Sequence, residues 1–158
     1  MENLPGFEIL SKMSDKQLTD LFGVRDFFTY EIDFTAIAAA GGTSQNSFTV
    51  QADSNFLWQY GAQVTDIAAA AYTESTRPVP LLQCTIQDAS SGRQLMSNAV
   101  PVSSLFGTGQ LPFLLPSPRF FRAQTQVTVN LVNFSAATIY NIKLSFIGTK
   151  FFKFSQAL

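Results

Sequence analysis

Few side chains in this 158-residue chain have types and spacings that suggest chemistry, and each set is incomplete. Glu31 and Asp33 lie two apart, so on an extended strand they share a face. Paired carboxylates of that kind can divide acid and base roles in sugar hydrolysis. Both, however, alternate with Phe28, Tyr30, Ile32 and Phe34, which puts them on the solvated side of an amphipathic strand. Asp53, Asp66 and Asp88 fall at strand ends or turns, where Asp binds nearby backbone N–H groups. None has EF-hand spacing. Cys84, the single cysteine, lies in the strand-like run Leu81–Ile86. A nucleophilic thiol needs a base beside it, and the chain has no His at all. Cys84 therefore reads as a small buried hydrophobe, and one thiol makes no internal disulfide.

The missing His also removes the commonest general base and metal ligand. No Cys pair is present for zinc. Gly107-Thr108-Gly109 lacks the further glycine and the helix of a phosphate-binding loop. No catalytic, metal-binding or cofactor-binding residue is expected, and no enzyme activity. Two aromatic sets remain. Trp58, Tyr60 and Tyr72 have the rings to stack on a sugar, although a lone Trp in a strand belongs more often to a core. Arg119-Phe120-Phe121-Arg122 combines the residue types enriched at protein–protein hot spots. An edge strand with one Phe in and one out would have the same pattern.

The elements that position these residues are mainly strands. Phe28 to Phe34 alternate with polar residues, as do Phe48, Val50 and Ala52. Phe56–Tyr60 extends the series, followed by Leu82, Cys84 and Ile86, then Gln94–Val100, Val127–Leu131 and Ile142–Phe146. Gly41-Gly42, Asp88–Gly92 and Asn133–Ala137 supply turns. Ala62–Pro80 is less regular, and Arg77-Pro78-Val79-Pro80 reads as part of an exposed excursion. Pro101–Arg122 reads as an apolar, Pro/Gly-rich connection packed on its own sheet or on a partner. About seven to eight strands with such turns predict a mainly β chain, an antiparallel β-sandwich or jelly roll. Residues 1–25 stand apart as an N-terminal arm before a domain over 26–158. Ser14 with Gln17 forms a capping box, Leu18, Leu21 and Phe22 a stripe, and Gly23 a stop, so the arm carries one short helix. The arm can fold back on its own domain or dock on a neighbouring subunit.

Composition turns these elements into an expectation about surfaces. Only 13% of the residues are charged, with 16 Phe, against about 25% charged in an average domain. Charges belong on surfaces, so this outside is unusually apolar or neutral and suits a protein covered by neighbours. A net charge of −1 gives no footprint for nucleic acid. Lys143, Lys150 and Lys153 are the nearest thing to a basic cluster. No basic-led apolar leader and no run of about 18 apolar residues is visible, so no membrane is expected, and the chain reads as made in the cytoplasm and either soluble or assembled. Phe28, Phe34, Phe48 and Phe146 fit a core. The surplus falls in the arm, the Pro-rich connection and the C-terminal end. Expected partner contacts are therefore Leu4, Phe7, Ile9, Leu10, Phe106, Phe113, Arg119, Phe120, Phe121, Arg122, Phe151, Phe152 and Phe154.

Several stretches carry a resemblance. They are Phe48–Trp58, Ile86–Leu95 with its Ser-Gly-Arg turn, and Leu105-Phe-Gly-Thr-Gly109. Pro112 to Pro118, Val127–Phe134 and Ile147-Gly-Thr-Lys150 continue it. In this order, over about residues 27–150, the chain resembles small virion structural proteins of tailed bacteriophages. The resemblance implies a virion component, most simply a head decoration (cement) or minor capsid protein. Such a protein would bind the major capsid protein or other virion proteins, as a homo-oligomer on the particle. A collar or tail-associated role, or a receptor- or carbohydrate-binding sandwich, is the alternative. No catalytic residue comes with the resemblance.

Overall fold

A computed structural model describes residues 25–67 and 78–152. The predicted arm helix, Leu4, Phe7, Ile9, Leu10, Tyr72 and Phe154 lie outside the described residues. Nine strands follow one another: β1 (Arg25–Ile37), β2 (Thr43–Thr49), β3 (Ser54–Asp66), β4 (Leu82–Asp88), β5 (Arg93–Gln94), β6 (Val100–Pro101), β7 (Phe113–Phe121), β8 (Gln126–Asn133) and β9 (Tyr140–Phe152). One 3-10 turn, Val102–Ser104, joins β6 to β7. The chain is a mainly β, antiparallel two-sheet sandwich.

Strand partners run inward from both ends of the chain. β1 pairs with β9, β2 with β8, β3 with β7, and β4 with the short β5 and β6. This is one long antiparallel ribbon. It is wound so that β9 also pairs with β3 and β8 also with β4. Sheet I therefore has the order β1-β9-β3-β7, and sheet II the order β2-β8-β4-β5 with β6 also on β4. The winding is that of a jelly roll, an eight-strand scheme in which β5 and β6 share one strand's place.

Side-chain alternation decides the layers. Tyr30, Ile32 and Phe34 of β1, Ile142, Leu144 and Phe146 of β9, and Val127, Val129 and Leu131 of β8 all point between the sheets and are buried. Phe146 sits at the centre, with ring centroids 4.7 Å from Trp58, 5.0 Å from Phe48 and 5.3 Å from Phe106. Offset and edge-on aromatic packing of this kind adds to the area buried.

The loops gather at two ends. One end holds the β1–β2 turn, the β8–β9 turn and the ends of the β3–β4 connection. Fully buried Asn133 clamps it. Its Nδ2 donates to the carbonyls of Ile37 (3.1 Å) and Thr138 (2.8 Å), and its Oδ1 accepts from Ser135 N–H at 2.9 Å. The opposite end holds the β2–β3, β4–β5 and β7–β8 turns, where Val50 and Thr125 bond at 2.8 Å. β1 starts and β9 finishes at that same end.

Two expectations need correction. Pro101–Arg122 is not a continuous connection, because Phe113–Phe121 is strand β7. β7 is the edge of sheet I, where Pro is tolerated because one side needs no donors. Its register on β3 jumps from Trp58↔Arg119 to Tyr60↔Leu114, so Pro116 and Pro118 fall in the unpaired stretch. Gln94–Val100 is not one strand either. Only Arg93–Gln94 and Val100–Pro101 pair, with Leu95 and Met96 turned partly onto the core between them.

Candidate binding surfaces

The described carboxylates do not converge. Glu31 and Asp33 lie on the outer side of β1, with Asp33 3.4 Å from the Lys143 ammonium and Glu31 at 3.5 Å from Ser145 Oγ, both in solvent. Asp53 accepts from Ser54 Oγ at 2.9 Å. Among the described residues no group of three or more His, Cys, Asp or Glu is placed to hold a metal. Lys150 is no surface cation. It is buried, hydrogen-bonded to Gln51 Oε1, and its ammonium lies 3.6 Å from the centroid of the Phe28 ring. The ring face supplies the attraction that water would otherwise give.

Cys84 is fully buried in β4, and burial pushes its thiol up to about 12. A thiol reagent at pH 8 is expected to leave it untouched in the folded protein and to modify it on unfolding. Fast modification without denaturant would contradict this. The same burial sets an alkaline limit. An unfolded thiol titrates near about 8.5, so Cys84 withdraws no stability below that pH. Stability then falls as pH rises from about 9 toward 12, at about 1.4 kcal/mol per pH unit.

The expected contact residues separate into four places. Phe106, Phe121 and Phe151 are buried. This corrects their placement at partner contacts for the first two, which belong to the core cluster. Phe106 closes the side of the sandwich that the two-residue strands β5 and β6 leave short. Gly107 N–H donates to Gly61 O at 2.9 Å and pins its loop to β3. Phe121 faces inward opposite Phe56. Phe151 pairs with Arg25 and Asn55 on the outer side of sheet I, yet is only 8% exposed. Phe113 and Phe152 are half-buried, Phe113 against the core.

Trp58 is also core, at 2% exposure. Its Nε1–H donates to the Tyr60 carbonyl at 2.7 Å across the β3 bulge, and its ring stacks 5.9 Å from Phe106. Tyr60, past the bulge, points to the outer side of sheet I opposite Leu114 and Ile147. The two rings therefore do not form one stacking platform. The edge of Trp58 lines a side cavity of about 240 Å³ between β7 and the β5–β6 segment, together with Leu95, Met96, Leu115 and Arg119.

The Arg-Phe-Phe-Arg tetrad splits along β7. Phe121 is inside, Phe120 is 53% exposed and Arg122 is exposed. Phe120 and Arg122 meet Arg93, Ser90, Ser91 and Thr125 around an end groove of about 610 Å³. Asp88 shapes that groove. Its Oδ1 accepts from the backbone and hydroxyl of Ser90 (3.0 and 2.7 Å) and from Ser91 N–H (3.2 Å), and its Oδ2 from Ser91 Oγ (2.8 Å). Desolvation raises the Asp88 carboxyl, but these hydrogen bonds outweigh it and hold the group below its ordinary range. The grouping of Arg93 with Phe120 and Arg122 was missed in sequence, because it depends on two turns from different strand pairs meeting.

Two apolar surfaces complete the outside. At the opposite end, exposed Val79, Leu81 and Phe134 border a hollow of about 190 Å³ with Pro101. Val79 was read only as part of an excursion, and Leu81 as the start of the strand-like run to Ile86. On the outer side of sheet I, Phe27, Val64, Leu114 and Phe120 are exposed.

No family model matches the chain, and no curated protein matches it. Among solved structures it is similar to a chain of the infectious bursal disease virus Gx strain, 14% identical with a TM-score of 0.38 over 84% of this chain and 34% of that one. It is also similar to the VP2 subviral particle of infectious bursal disease virus, 14% identical with a TM-score of 0.35 over 81% of this chain and 33% of the other. The chain spans about a third of the length of both.

Proposed function

We propose that this chain is a structural protein of a virus particle, held there by contacts with other virion proteins and with copies of itself. The observation that carries the reading is the distribution of exposed apolar side chains on a charge-poor jelly roll. Leu111, Val79, Phe27, Leu81, Phe134, Phe120, Val64 and Leu114 are all more than half exposed, on both ends and on the outer side of sheet I. Contiguous exposed apolar patches on soluble monomers mark interaction sites, and the jelly roll is a scheme used by viral capsid and lectin domains. The finer reading is a head decoration or minor capsid component of a tailed bacteriophage, binding the major capsid protein. It has no enzymatic step.

The test is a mass and copy-number measurement on purified native particles. Hundreds of copies are expected for a decoration protein. About six or twelve copies, the count of a symmetric ring, would move the role to a collar or tail. Absence from washed particles would sink the virion reading.

One observation favours a second reading. The end groove presents Phe120, Arg93 and Arg122 together, a ring and two cations of the kind that hold a charged sugar. A receptor- or carbohydrate-binding module would use this groove and not Trp58.

A further inference from the structure

The walls of the end groove are fixed by the fold itself. They are the β4–β5 turn and the β7–β8 turn, tied to each other and to the β2–β3 turn. Ser90 Oγ lies 3.0 Å from Thr125 Oγ1, and Ala89 N–H donates to Gln126 O at 2.9 Å. Gln124 N–H donates to Val50 O at 2.9 Å, and Ala123 N–H to Asn55 Oδ1 at 2.9 Å. Walls held in this way need little ordering when a ligand binds. The space between them, about 610 Å³, lies in the range of small-molecule sites, about 300–1,000 Å³.

The groove offers cations and one ring on an otherwise polar lining. Arg93 and Arg122 are exposed in it. Among the described residues neither guanidinium has an ion-pair or hydrogen-bond partner. Asp88 is the one carboxylate of the lining. The four bonds it accepts from Ser90 and Ser91 fill the roughly four lone-pair sites of a carboxylate. It is therefore a strut under that turn and not a partner for either arginine. Two guanidinium charges less this carboxylate leave one net positive charge, which suits a monoanion better than a polyphosphate. Gln124 stands at φ 66°, where glycine would be unstrained, and its exposed amide adds a donor and an acceptor to the groove. Phe120 is the only large apolar group of the lining. An apolar peptide anchor would find one ring and no pocket. A hydroxylated ring would find polar groups at its edge and a face to lie on.

We propose that the end groove binds a sugar carrying one carboxylate, of the uronic or sialic acid class. Arg93 and Arg122 hold the carboxylate, the geometry in which arginine is strongest. The sugar ring lies on Phe120, and Gln124 reaches its hydroxyl groups. This rests on the receptor-binding reading of the groove and names its ligand.

A panel of immobilised glycans probed with the full-length chain tests this, with carboxylated, sulfated and neutral members on matched backbones. Binding is expected on the carboxylated members alone. Arg93→Gln and Arg122→Gln should each weaken it about tenfold or more, and Phe120→Ser should weaken it as well. Lys143→Gln, on the outer side of sheet I beside Asp33, should leave it unchanged. Equal Tm values for the variants and the parent establish that the fold is kept. Carboxylated glycans bound equally well by both arginine variants, or neutral or sulfated glycans bound as strongly, overturn the proposal and leave a carbohydrate-binding role standing. Capture of no glycan overturns the proposal and that role together.

Discussion

Trp58→Ala should lower the unfolding free energy by about 3–5 kcal/mol, the usual range for emptying a large aromatic site in a core. For a domain of this length that is a fall in Tm of roughly 6–20 °C. The ring is 2% exposed and packs 4.7 Å from Phe146 and 5.9 Å from Phe106, so little can collapse into its place. Trp58 also satisfies the Tyr60 carbonyl, which lies at the bulge where β3 changes register. Trp58→Phe keeps most of the ring and loses that hydrogen bond, so it should cost less, about 1–3 kcal/mol. Thermal unfolding followed by near-ultraviolet circular dichroism measures both. A ligand-stacking tryptophan would show the reverse, with binding lost and Tm unchanged. An unaltered Tm in Trp58→Ala would return this residue to the candidate ligand contacts.

What was legible beforehand follows from which forces are local. The period-2 runs at Tyr30–Phe34, Val127–Leu131 and Ile142–Phe146 name the buried face directly, because alternation is a property of the strand itself. The same runs show faces but not neighbours, so pairing from both chain ends inward was open. β7 was hidden for a related reason. Phe113-Leu-Leu-Pro-Ser-Pro-Arg-Phe-Phe121 does not alternate, because Leu115 to Pro118 stand opposite the single β3 residue Gln59 and fall out of the register. Phe106 is the clearest misreading. A Phe in a Pro/Gly-rich connection resembles a partner contact, but it fills a space created by β5 and β6 being only two residues long. The surplus of Phe is thus divided. Part repairs the open side of the sandwich, and part, Phe27 and Phe120, stays outside. Asn133 was visible only as a strand-end residue, since its three partners are contributed by two different turns.

Gly148→Ala is expected to be at least as damaging as Trp58→Ala. Gly148 lies in β9, between Phe28 of β1 and Trp58 of β3. A Cβ at this position would stand 1.9 Å from the Leu57 carbonyl oxygen and 2.9 Å from its carbon. These are backbone atoms of a paired strand, so no side-chain rotation relieves the overlap. β9 is held on both sides, and moving β3 away breaks the pairing that carries the bulge. Overpacking of this kind costs about 1–3 kcal/mol when side chains can adjust. Where backbone must move, about 4–5 kcal/mol or more is the expectation, the exceptional tail of single substitutions. Gly109→Ala is the control. Nothing lies within 4 Å of a Cβ there, and its stability should stay within about 0.5 kcal/mol of the parent. Urea unfolding of the two variants separates the outcomes, and equal midpoints would refute the close approach of β3 to β9. The approach also bears on the surface. Leu57 faces the outer side of sheet I and Trp58 the core, so one displacement of β3 at Gly148 disturbs both. Phe120→Ser alters the outer side of sheet I and the end groove beside it without touching the core. If a folded Phe120→Ser variant keeps particle binding, the contact with the particle is made elsewhere than at the Phe120 edge of sheet I and the groove beside it.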